Sequence, residues 1–104
     1  MKTFKTLISE DTDVQGLTET QLLRSAITEE LDAVILYEKM AEQTINPDLR
    51  KLFLDVAYEE KVHAEEFEEM LERLDPDYEK AEDQAEDEIE DMFGKEEDDK
   101  EDDD

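Results

Sequence analysis

The sequence predicts an all-α fold, an antiparallel two-helix hairpin followed by a short third helix, and three observations carry that expectation. Apolar residues recur at steps of three and four from Leu23 to Ala41 and again from Leu49 to Leu74, the period of a helix face. Two stop-and-restart signals, Asn46-Pro47 and Asp75-Pro76, divide the periodic stretches. Nothing reads as the alternating pattern of a strand.

Residues 1–16 place Phe4, Leu7 and Ile8 among polar neighbours ahead of Glu10-Asp11-Thr12-Asp13, and read as an N-terminal arm without a fold of its own. Those three apolar residues could dock on a neighbouring surface, and the sequence does not say whose. A helix start follows. Thr18 with Gln21 three residues later makes a capping box, and Leu17 with Leu22 can form the hydrophobic staple. The face that begins there runs Leu23, Ala26, Ile27, Glu30, Val34, Tyr37, Ala41, widened by Leu31, Ile35 and Met40.

At the first break Asn46 can cap and Pro47 suits the first helical position. The connection is short enough to make the flanking helices an antiparallel hairpin over 17–75. The second helix carries Leu49, Leu52, Phe53, Val56, Ala57, Glu60, His63, Ala64, Phe67, Met70, Leu71 and Leu74 on one stripe. Asp75 and Pro76 then open an acidic C-terminal helix over 76–94, with Tyr78, Ala81, Ala85, Ile89, Met92 and Phe93 as a thin stripe and Gly94 as its cap. Such a helix needs a docking surface to be stable. The tail, 95–104, has no apolar residue and reads as disordered.

Thirty-six acidic residues against 11 basic ones give a net charge of −25, of which −14 falls between Asp77 and Asp104. A surface of that sign repels nucleic acid and anionic membrane and attracts cations. Taken alone, an acidic run is a solvated segment or an adaptation to salt. The absence of cysteine excludes disulfides, thiolate metal sites and a cysteine nucleophile. The first residues lack a signal peptide's apolar run and no stretch approaches a membrane span, so the expectation is a soluble protein that is not secreted.

Glu30, Glu60 and His63 are the exceptions on otherwise apolar faces. Buried there, they need a partner or a metal ion. Glu30 lies 15 residues before Ile45 at the turn and Glu60 lies 15 after it, so each is roughly 22 Å from the turn at 1.5 Å per residue. They should sit side by side, with His63 about one turn further and Tyr37 layered against Phe53 nearer the turn. Di-iron four-helix bundles use a Glu from each of two helices and a Glu-x-x-His from each of the other two. One chain supplies half of that set, and a hairpin alone leaves its apolar side wet. Two copies packed face to face answer both shortages. Oxygen and imidazole ligands without sulfur suit Fe, Mn or Zn.

Blander readings stand beside this one. A single Glu-x-x-His is a weak motif, and a buried Glu–His pair could simply fix the register of a helical dimer. Tyr37 is by default a core aromatic, and Glu29, Asp32, Glu59, Glu65 and Glu66 a solvated face.

Glu29-Glu30-Leu31-Asp32-Ala33-Val34, Tyr37, Asn46-Pro47-Asp48-Leu49 and Glu59-Glu60-Lys61-Val62-His63-Ala64 resemble the encapsulated ferritins, half-bundle proteins associated with encapsulin nanocompartments. The resemblance spans roughly Leu22 to Asp77 without gaps in the spacing of Glu30, Glu60 and His63. It is similar, too, to the ferritin-like domain that some archaeal encapsulins carry fused ahead of the shell protein. It implies that Glu30, Glu60 and His63 from two chains hold a pair of irons and act as a ferroxidase, oxidising Fe(II) with O2. Tyr37 matches a tyrosine beside that centre, and Glu29 and Asp32 match acidic residues on the path of incoming metal. A homodimer, rings of dimers that typically total ten chains, and a cytoplasmic place inside an encapsulin shell that stores the mineral follow from the same resemblance. The sequence departs from the family in two places. Leu36 stands where some members have tryptophan, and the chain ends in acids where free-standing cargo members carry a shell-targeting peptide. The remaining alternatives are a rubrerythrin-like peroxidase, which would prefer H2O2, and a non-enzymatic acidic scaffold that buffers cations.

Overall fold

The computed structural model describes residues 17–96, and among them every regular element is helical. Helix α1 runs Glu19–Gln43, α2 runs Pro47–Leu74 and α3 runs Pro76–Phe93. The arm with Phe4, Leu7 and Ile8, and the tail beyond Glu96, lie outside the described residues.

Each helix end is closed by the chemistry its sequence supplies. At the start of α1 the Gln21 amide donates to Thr18 Oγ1 at 3.3 Å while the Thr18 amide donates to Gln21 Oε1 at 2.9 Å, so both halves of the capping box form. Asn46 Oδ1 accepts from the amides of Asp48 and Leu49 at 3.0 and 3.1 Å and opens α2 behind Pro47. The last turn of α1 holds no basic residue. Its carbonyls are met from α2 instead, where Arg50 Nε donates to the Ala41 carbonyl at 3.2 Å and its terminal nitrogen to that of Thr44 at 3.3 Å.

Asp75 serves three elements at once. Its amide donates to the Leu71 carbonyl at 2.9 Å and closes α2, its Oδ1 accepts from the Asp77 and Tyr78 amides to open α3, and its Oδ2 meets Arg24 of α1 at 3.3 Å. The base of α3 is thereby tied to the end of the hairpin where α1 begins.

The hairpin seam is built from small and medium residues at seven-residue spacing, Val34 and Ala41 on α1 facing Ala57, Ala64 and Leu71 on α2, and these are the buried residues of the described chain. Seven-residue spacing keeps one narrow line of contact between two helices, and alanine at the line lets them approach closely. The broad stripe of α2 therefore divides into two surfaces where the sequence showed one helix face. Its alanines and Leu71 face α1, whereas Leu49, Leu52, Met70 and Leu74 remain 39 to 55% exposed. A third set on the opposite side of α2, Leu54, Tyr58 and Val62, is open as well. Helix α3 touches only α2 and buries no residue. Its first turn is held by the Tyr78 hydroxyl, which donates to Glu68 Oε1 at 3.0 Å.

Candidate metal centre

Glu30 is carried by the middle of α1, Glu60 and His63 by adjacent turns of α2, and the antiparallel register brings the three together. One ligand atom from each lies within 4.8 Å of the others, and this is the metal-sized group of carboxylates and imidazole among the described residues. His63 Nδ1 stands 3.5 Å from Glu30 Oε2 and 3.7 Å from Glu60 Oε2, too far apart for good hydrogen bonds. Farther toward the turn, Tyr37 and Phe53 stack with centroids 6.4 Å apart and planes 27° from parallel, the layer expected from their equal distances to Ile45.

Exposure is uneven across the group. The Glu30 and Glu60 side chains are 17 and 21% exposed, while His63 is 45% exposed because it sits on the edge of the seam and opens to the uncovered face of α2. Burial is the chief force on Glu30, with the neighbouring Glu60 carboxylate adding to it and His63 opposing both, and the result lifts the Glu30 carboxyl to about 7. Glu30 Oε2 is also buried without a hydrogen-bond partner. A desolvated carboxylate oxygen aimed at a second carboxylate and an imidazole, with nothing to satisfy it, is a site that calls for a cation. Iron fits this donor set: hard oxygens and imidazole, with no sulfur.

The structure does not bring every sequence candidate into the cluster. Glu29 is half-buried and Asp32 exposed, and neither joins the three ligand atoms. One interhelix ion pair escaped the sequence, Lys61 Nζ to Glu38 Oε2 at 3.2 Å, because it joins residues at unequal distances from the turn. Leu36 is exposed on α1.

Comparison with known proteins follows the same lines. The rubrerythrin family profile matches residues 21–101. The ferritin-like-encapsulin shell fusion protein of Pyrococcus furiosus is 46% identical over 72 residues, covering 69% of this chain and 21% of that protein. The encapsulin nanocompartment cargo protein EncC of Myxococcus xanthus is 41% identical over 64 residues, 59% of this chain and 49% of that one. This chain thus spans from about a fifth to about half of the length of those curated relatives. Among solved structures, the encapsulated ferritin domain from Pyrococcus furiosus superposes with a TM-score of 0.74 at 36% identity, covering 86% of this chain and 94% of that one.

Proposed function

Because this chain belongs to the rubrerythrin family of ferritin-like proteins, with the encapsulated ferritins as its kin, we propose that it is a ferroxidase. It would oxidise Fe(II) to Fe(III) with O2 at a centre that two copies of the chain build together. The observation that carries the reading is the partnerless, buried Oε2 of Glu30 facing Glu60 and His63.

In this reading the protein's own groups do the following. Glu30 holds the innermost ligand oxygen in a desolvated place that disfavours its charge, so that Fe(II) takes the place of a proton there. Glu60 supplies the second carboxylate, and His63, half-open at the edge, supplies a nitrogen that is reached from the uncovered face. One chain brings two carboxylates and one imidazole; a second copy across that face doubles the set to that of a di-iron bundle. Fe(II) would be the substrate: two of them would give one electron each to O2, which with two protons from water would leave as H2O2, and the carboxylates would favour the more highly charged Fe(III). Tyr37, on the same side of α1 two turns from Glu30, is the aromatic neighbour of the centre, and Glu29 and Asp32 are the acids metal meets first. Leu49, Leu52, Met70 and Leu74, exposed along the stripe of α2 that bears His63, support the pairing.

Absorbance at the onset of Fe(III) formation after mixing with Fe(II) in air tests the assignment. Glu30→Ala and His63→Ala should each reduce the initial rate by at least about ten- to a hundredfold, the cost already seen when a mere outer-shell partner of a metal site is lost. Rates equal to the parent's would sink the reading. A rubrerythrin-like peroxidase is the second reading, favoured by the family profile. It predicts that H2O2 oxidises the bound Fe(II) faster than O2 at equal concentration.

The names of the two curated relatives extend the proposal to an encapsulin shell. The chain would then feed Fe(III) to a shell in the cytoplasm that stores it. Expression beside an encapsulin shell protein, with and without residues 95–104, measures whether the chain is enclosed and which segment directs it.

A further inference from the structure

The far end of α3 is the least explained surface of the described chain. Ile89, Met92 and Phe93 are 53, 67 and 78% exposed. Ala85, Ile89 and Phe93 floor a groove of about 680 Å³ lined also by Glu86, Glu90, Lys95 and Glu96, a net acidic rim. The helix carries nine acidic residues and one lysine between Asp77 and Phe93. An apolar stripe on so acidic a helix gains stability when a partner covers it and neutralises part of its charge.

We propose that this chain's own residues 2–8 dock in that groove. The segment Lys2-Thr3-Phe4-Lys5-Thr6-Leu7-Ile8 has two lysines, no acid, and apolar residues at steps of three and one. Its chemistry mirrors the groove, Phe4, Leu7 and Ile8 for the floor, Lys2 and Lys5 for Glu86 and Glu90. The other stretch outside the described residues, 97–104, has one lysine among seven acids and no apolar residue, so it cannot serve. A second copy presents a hairpin with sixteen acidic and six basic residues across 17–75, a poorer match in charge than residues 2–8.

Geometry permits the contact within one chain. Arg24 of α1 meets Asp75 at the foot of α3, and α1 begins at Glu19, five residues before Arg24 and about 7.5 Å further along the helix. The described chain therefore begins at the end of the hairpin from which α3 departs. Phe4 is thirteen residues upstream of Leu17, a reach of up to about 43 Å when extended. Helix α3, at 18 residues, is only about 27 Å long.

A zero-length carbodiimide cross-link tests this on the full chain. Unlabelled and nitrogen-15-labelled chains are unfolded together, refolded as a mixture, cross-linked at low salt and mapped by mass spectrometry. The expected products join Lys2 or Lys5 to Glu86, Glu90 or their neighbours on α3, within chains of one label, and their yield falls several-fold in Phe93→Ser, a change at an exposed site that leaves the hairpin intact. Links that mix the two labels, links to acids of the hairpin, no links from Lys2 or Lys5, or a yield indifferent to Phe93→Ser would each overturn the proposal. Mixed-label links from Lys51 to α3 would name a second copy as the occupant instead.

Discussion

Glu30 owes its unusual state to a position that periodicity alone reveals, the centre of an otherwise apolar face of α1. Its raised carboxyl, at about 7, has a definite consequence for stability. The folded chain holds this proton more tightly than the unfolded chain does. The group's contribution to stability is therefore fully present below its ordinary value of 4.5 and is lost as pH rises through about 7. Glu30→Gln should raise the metal-free protein's resistance to urea at pH 8, by roughly 1 to 3 kcal/mol, and change it little at pH 4. Metal must displace the same proton, so Co(II) or Zn(II) affinity should fall by about tenfold per unit as pH drops below 7. Calorimetry in buffers of different ionisation heat should register the released proton at pH 6. That Glu30, Glu60 and His63 come together was legible in the sequence because the turn is short and the spacing unbroken. The orphaned oxygen and the half-exposed imidazole were not, since both depend on how far His63 sits from the seam.

Between helices, stability concentrates in few places. Leu71 is 1% exposed at the seam, and Leu71→Ala should cost about 2 to 5 kcal/mol in urea unfolding. Thr18→Ala, which removes the α1 cap, should cost about 1 kcal/mol. The helix boundaries were readable because Thr18, Asn46 and Asp75 each announce a start, two of them with proline behind. Which apolar residues meet across the hairpin was not readable, because one stripe of α2 serves both the seam and the open face. The seating of α3 was equally hidden, resting on Tyr78, Glu68 and Arg24, polar contacts that follow from the angle between helices. A carboxylate pair sits at that junction. The Glu82 carboxyl beside Glu72, with burial and with Glu69 and Glu68 adding, pushes Glu72 up to about 7. As pH rises through that value Glu72 gains a negative charge beside Glu82, and the seating of α3 on α2 weakens. Amide exchange in residues 76–84, corrected for intrinsic rates, should quicken above pH 7, and Glu82→Gln should abolish the change.

At the scale of the whole molecule, the exposed apolar surfaces and the charge pull in opposite directions. On α2 one open stripe, with Leu52, shares its side with His63, and another, with Tyr58, lies on the opposite side of the helix. The proposed dimer that completes the centre would cover the first and leave the second open to a further copy, as a ring of such dimers would need. Leu52→Glu should therefore yield monomers that have lost Fe(II) oxidation. Tyr58→Glu should stop at dimers that keep it, with both masses measured by sedimentation. Every association step, however, joins chains that each carry a net charge of −25. Repulsion of that size is long-ranged at low ionic strength and screened within about 10 Å at 0.1 M salt. The apolar contacts it opposes are barely touched by such concentrations. Raising NaCl from about 0.01 to about 0.5 M, across which the screening length shortens several-fold, should tighten assembly of the parent chain, while the Leu52→Glu variant should stay monomeric throughout. An assembly that salt loosens would instead be held by ion pairs between chains, and the two-face account of α2 would fail with it.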